Sequence, residues 1–245
     1  MSSLDAGLVI ERLAAALLAL AVGSLLLREL AAGIWALALQ SLLLVAIGVV
    51  AAASTGETHA WVAAGLTFAV KVVAIPLVLR AALGRVRLKR EVDPVLPDRI
   101  VLLLGIALAA LAYRAAGPLQ LPGAALGHGT LPASIGLMLV GLLIMVVRRK
   151  ALSQVMGLVT LENGIYLAAL AVSRPGGLAT EGLPLAVELA VAFDVLVGAI
   201  VMAIMAQRIS QTFQTINVDQ LRALRDRPSR LAPDGHTAPR KGARR

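Results

Sequence analysis

The chain has 245 residues, 59% of them apolar and 15% charged, against about 45–50% and about 25% in an ordinary soluble domain. Aromatics are only 3%, so Ala, Leu, Val, Ile and 22 glycines dominate, the mixture used by helices that pack in lipid. Cysteine is absent, which excludes disulfides, thiol catalysis, iron–sulfur clusters and thiolate zinc sites within this chain. The three histidines lie outside the apolar runs or at the very edge of one, so neither a metal site nor any other cofactor is expected.

A helix that spans the bilayer core needs about 20 mostly apolar residues, because its backbone must satisfy itself where water is absent. Seven runs qualify, at 6–27, 31–53, 59–81, 99–116, 131–148, 151–173 and 183–207. The first carries Glu11 and Arg12 in its opening turns; it lacks the basic lead of a secretory signal and is read as a span. Between the runs lie a polar turn at Ser54–Glu57, a Pro-containing break at Glu91–Pro97, a Gly/Pro-rich connection over 117–132 and the Ser173–Gly177 loop. Beyond Ile209 the chain is polar and basic. Arg227–Arg245 holds three prolines and no apolar periodicity, so disorder is expected there.

Alternating the loops between two sides places 19 of the 23 basic residues on one side, including Arg28, Arg80, the Arg85–Arg90 cluster, Arg148–Lys150 and the tail. The other side receives Arg12, Arg114 and Arg174, and Lys71 lies within a span. Cytoplasmic loops carry the positive excess, so the reading is an all-α, seven-span protein with its N-terminus outside and its C-terminus in the cytoplasm. The formal charge of +9 is then topology and contact with anionic lipid, not nucleic-acid binding, since no stacking aromatics accompany it. The tail is also a plausible docking segment for a cytoplasmic partner.

Of the 14 acidic residues, Glu162, Glu188 and Asp194 fall well inside apolar runs. A charge at the bilayer centre costs at least about 2.5–3.5 kcal/mol, so such groups face a partner or a wet cavity. Counting from the run ends puts Glu162, Asp194 and Lys71 near the midplane, with Gln40 in the same layer. Glu188 lies about one turn inside the outer surface. The plain account of Lys71 is an ion pair with one carboxylate. One lysine cannot neutralise two midplane acids, however, and this favours a proton- or ion-handling relay of Lys71, Glu162, Asp194 and Glu188. Trp35 and Trp61 fall near run ends, as interface anchors do.

The segments Gly157–Leu167, Asp194–Gly198, Thr212–Leu224 and Lys71–Leu77 resemble the hydrogenase-4 component E family, and the likeness extends over nearly the whole chain to about residue 226. The Leu161-Glu162-Asn163-Gly164 core is its most specific part. Within that family the last three spans are similar to the K subunit of respiratory complex I and the C subunit of multisubunit cation/proton antiporters, where two membrane carboxylates belong to a hydrophilic axis. Glu162 matches the first by position. Asp194 matches the second through the following Gly198, with a side chain one methylene shorter.

Span counting and charge give four N-terminal helices over 1–116 and a basic cytoplasmic tail over 209–245, and the resemblance implies that the three spans over 131–208 form a K-like bundle. It implies a membrane-arm subunit in a bacterial or archaeal cytoplasmic membrane, partnered by antiporter-like and complex I-like membrane subunits and by cytoplasmic redox subunits. The chain itself would hold no redox centre and would help move protons or sodium ions. The alternatives are a stand-alone ion-coupled transporter, a subunit of an antiporter complex, and a scaffold in which the buried charges are structural.

Overall fold

The computed structural model describes residues 3–56, 58–84, 96–118 and 129–172. The seventh run at 183–207, the Arg85–Arg90 cluster and the tail lie outside the described residues. Within them the chain is all-helical: α1 (Ser3–Ser24), α2 (Leu30–Thr55), α3 (Thr58–Thr67), a π-helical segment (Phe68–Ala74), α4 (Ile75–Gly84), α5 (Asp98–Ala116), α6 (Thr130–Val147) and α7 (Ala151–Val172). Segment α3–π–α4 is one continuous rod, and the described residues hold six helices long and apolar enough to cross a membrane. The protein is a multi-pass membrane protein.

Local chemistry sets the helix ends. Gly56 closes α2 in the left-handed conformation, φ 71°, and returns its N–H to Ala52 O, the carbonyl four residues back. Pro97 stands just before α5, where its missing N–H costs nothing, and Asp98 puts a carboxylate on the positive helix end. The third span has an irregularity that hydropathy does not show. Pro76 cannot donate to the carbonyl four residues back, Val72 O, so a regular α-helix would lose a bond there. The chain widens into π geometry just ahead of it, and Ile75 N–H bonds Val70 O instead.

Helix α2 is central and packs on α1, α3, the π segment, α4 and α7, while α5 leans on α6 and α1. The most extensive pair is α6 with α7. Its seam is made of small residues: a Cβ on Gly141 would lie 2.5 Å from Leu161 N and 2.8 Å from Gly157 O, and one on Gly164 would lie 2.8 Å from Met138 N. Backbone atoms cannot step aside, so the two helices are as close as they are only because these positions have no side chain.

Three contacts gather helix ends at one end of the bundle. Arg28, after α1, pairs with Asp98 at the start of α5 at 2.6 Å. Arg148, after α6, donates to the carbonyls of Leu25 and Leu27 at 2.6 and 3.0 Å. The Arg80 guanidinium, near the end of α4, sits 5.3 Å from the centroid of the Trp35 ring. Trp35 and Trp61 are both exposed.

The apolar interior is divided in two. One cluster joins α1, α5 and α6 to Leu44 and Ile47 of α2 and Leu167 of α7. The other joins α4 to Leu30, Ile34 and Leu37 of α2 and to Leu152, Val155 and Val159 of α7. Between these clusters α2 buries Gln40 and Ser41, and α7 buries Thr160, Glu162 and Asn163. Outward faces are apolar instead, with Val146, Leu103 and Leu77 among the most exposed side chains, as a lipid or subunit environment requires.

Close packing at the seam gives a test. Gly141→Ala should cost about 1–3 kcal/mol through overpacking. Gly65→Ala, where nothing lies within 4 Å, should be neutral or should gain up to about 1 kcal/mol of helix propensity. Thermal unfolding of the detergent-purified protein measures both; equal tolerance at the two sites would refute the seam.

Candidate functional site

The polar layer is centred on Lys71. It is the twelfth of the 25 residues in the span Ala60–Gly84, Glu162 is the eleventh of 20 in Leu152–Ala171, and Gln40 is the eleventh of 25 in Leu30–Ser54. All three are at mid-depth and almost sealed, at 1%, 4% and 1% exposure. Lys71 Nζ lies 3.0 Å from Glu162 Oε1 and donates to Asn163 Oδ1 at 3.2 Å. It also stands 5.3 Å from the centroid of the Tyr166 ring, which adds a cation–π face. The ammonium thus has a carboxylate, an amide oxygen and an aromatic face around it, from three residues of one helix.

Helical spacing makes this possible. Glu162 and Tyr166 are four apart and Asn163 and Tyr166 three apart, so all three look toward the same neighbour. Gly164, beside them, lets α7 settle deeply against α6 and hold that face in place. On the opposite rod, Lys71 stands inside the π segment, where one extra residue per turn changes the direction of the side chains that follow. Thr67, one turn earlier, places its hydroxyl 3.4 Å from Tyr166 OH and ties the two helices again.

A second polar contact lies beside the first. Thr160 Oγ1 is 3.3 Å from Gln40 Oε1 and 2.9 Å from its own helix carbonyl, Met156 O. Its single proton serves one of them at a time. Gln40 therefore meets α7 at Thr160, and Lys71 meets it at Glu162 and Asn163. Asp194 and Glu188 lie outside the described residues. Among the described residues no three His, Asp or Glu side chains come together as a metal site requires.

Three participants were missed by sequence reasoning. Asn163 and Tyr166 lie within the quoted Gly157–Leu167 segment, but nothing in the sequence gives their facing toward Lys71. Arg148 counts in the sequence as one more loop cation; in the structure it is buried at 7% and caps the carbonyl end of α1. Its position directly after an apolar run is the only signal, and a snorkelling loop residue has the same one.

Comparison with known proteins places the chain in a family. Residues 130–226 match the family model for NADH-ubiquinone/plastoquinone oxidoreductase chain 4L. An uncharacterized protein of Mycobacterium tuberculosis is 31% identical over 170 residues, covering 69% of this chain and 74% of that one. Hydrogenase-4 component E of Escherichia coli K12 and that of Shigella flexneri are each 28% identical over 158 residues, 64% of this chain and 70% of theirs. No solved structure matches. The chain belongs to the hydrogenase-4 component E family.

The ion pair is testable as a unit. Lys71→Met strands a buried carboxylate and should cost about 3–5 kcal/mol, whereas Lys71→Met combined with Glu162→Gln should recover part of that loss. Unfolding of all four members of the double-mutant cycle reads the coupling. Additive losses would show that the two charges do not depend on each other.

Proposed function

We propose that the chain is a membrane-arm subunit of a group 4 hydrogenase-like or complex I-like assembly, in which Glu162 takes up and releases an ion during transport driven by electron transfer in partner subunits. One observation carries this reading: a sealed, mid-depth carboxylate paired with Lys71, inside the segment that matches the chain 4L family. A lone ion pair that only held helices together would be poor design, since apolar residues of equal volume do that as well or better. A carboxylate that must change charge has no apolar substitute.

The relay works by charge exchange. While Glu162 is ionised, Lys71 compensates it. When Glu162 is protonated, Lys71 loses that counter-ion and draws negative charge, or repels positive charge, in its surroundings. Asp194, from the seventh run, is the second carboxylate of the relay, and Glu188 leads toward the outer face. The moving ion is a proton or sodium ion. Redox chemistry belongs to cytoplasmic partners, and antiporter-like and complex I-like membrane subunits flank this one.

The same reading fixes the topology. Residues 1–116 form four spans and 131–208 a K-like three-span bundle, giving seven spans with the N-terminus outside. The tail, 209–245, is then cytoplasmic, in a bacterial or archaeal inner membrane. The 19-to-3 distribution of basic loop residues supports that orientation. A reporter active only outside the cell should be silent after Arg222 and active in the 117–129 loop; the opposite pattern overturns the map.

Glu162→Gln keeps the size of the side chain but cannot ionise. The variant complex should assemble, retain electron transfer in its redox subunits and lose most ion pumping in inside-out vesicles. Wild-type pumping by an assembled Glu162→Gln complex would remove Glu162 from the relay.

A further inference from the structure

A cavity of about 30 Å³ lies between α2, α6 and α7 and reaches toward this site from the end of the bundle that carries Arg28 and Arg148. That is room for roughly two water molecules. Exposed Glu29 and half-buried Arg28 stand at its outer end, and Ser24 and Ser153 line it further in. Its floor is the buried pair Gln40 and Thr160. Glu29 and Gln40 are eleven residues apart, so the residues that line the cavity extend over about 16 Å of α2, from its exposed start to mid-depth. Apolar residues would have filled a gap between packed helices; here the inner end is an amide and a hydroxyl.

Beyond the floor the polar groups continue. Asn163 follows Thr160 by three residues, about 4.5 Å along α7 and on a neighbouring face, and its Oδ1 accepts from Lys71. Asn163 Nδ2 and the Ser41 hydroxyl, next to Gln40, are buried and have no hydrogen-bond partner among the described residues. Ordered water is the usual partner of such groups.

We infer that this cavity is the water-filled proton-uptake path from the cytoplasmic face to the Lys71–Glu162 pair. The inference rests on the relay reading of Glu162 and adds the route. A proton from bulk water passes along hydrogen-bonded waters and the Thr160 hydroxyl. An O–H bond forms on the Glu162 carboxylate as one breaks on the donating water, which is reprotonated from the bulk. Arg28 and Arg148 are tied down by Asp98 and by the Leu25 and Leu27 carbonyls, and so flank the mouth without plugging it.

The chain has no cysteine, so single cysteines report access in this subunit without background. The whole complex in inside-out vesicles is treated with Ag⁺, a thiol-reactive cation close to water in size, and the thiols it leaves unblocked in this subunit are counted after denaturation. Ser153→Cys and Thr160→Cys should both react, and Val159→Cys, buried in the apolar cluster, should not. If Thr160→Cys does not assemble, Leu37→Cys replaces it, since Leu37 lines the cavity three residues before Gln40, next to the floor. A floor cysteine that stays unmodified overturns the path. Filling the cavity with Ser153→Leu should then slow ion pumping about tenfold without loss of assembly. If Glu162→Gln abolishes pumping and Ser153→Leu leaves it at the wild-type rate, only the path falls. If Glu162→Gln pumps normally, the relay reading itself falls.

Discussion

The structure is arranged around a lysine ammonium buried at mid-depth. An ammonium at mid-depth is costly wherever it faces lipid, and the rod that carries Lys71 offers it no acid of its own. Everything it needs comes from α7: a carboxylate, an amide oxygen and an aromatic face, at 162, 163 and 166. That dependence explains why the apolar interior is split. Both α2 and α7 contribute to one apolar cluster on each side of the layer and turn polar in between. The polar layer is thus clamped by two dry regions, which exclude bulk water and hold the partners at fixed distances.

Two backbone devices hold the pair in place, and neither has a charge. Glycines at 141, 157 and 164 let α6 and α7 approach until backbone meets backbone, so α7 has little freedom to rotate its polar face away. Pro76 spoils the regular helix just past Lys71, and the chain answers with a wider π turn that contains the lysine. Rigid packing on one side and an irregular rod on the other is a sensible division for a site that, on the proposed reading, changes its charge state. The acid is held still, and the cation sits where the helix is already non-ideal.

Much of this was legible in the sequence, for reasons of unequal strength. Six of the seven apolar runs correspond to described helices within a few residues, because the requirement for continuous apolar length is severe. The depth of Lys71, Glu162 and Gln40 was also legible, since depth is counting. Facing was not. A helix that is apolar nearly all round has no amphipathic stripe to orient it, so nothing in the sequence favours Glu162 over another midplane acid as the partner of Lys71. Asn163 and Tyr166 were hidden by the same lack. Pro76 stood in plain view within 59–81, yet a proline alone does not say whether a helix will kink, break or widen. Arg148 was hidden by a rule that works: cations at span ends do mark sides, and one that also caps a neighbouring helix looks no different.

Charge counting carries the argument from structure to coupling. In the described half of the layer one ammonium meets one carboxylate, and neither charge can change without cost to the other. Such a pair is inert as long as it is alone. A second carboxylate near the same depth would make three groups that share one positive charge, and their protonation would then be linked, so that a proton gained at one site favours its loss at another. On the proposed reading Asp194 supplies that group, and its shorter side chain limits how closely it can approach Lys71 while Glu162 holds the lysine at 3.0 Å. The two acids would then compete for one cation in place of sharing it. Competition of that kind turns a structural ion pair into a switch, and a displacement in a neighbouring subunit that favours one acid is enough to move the proton.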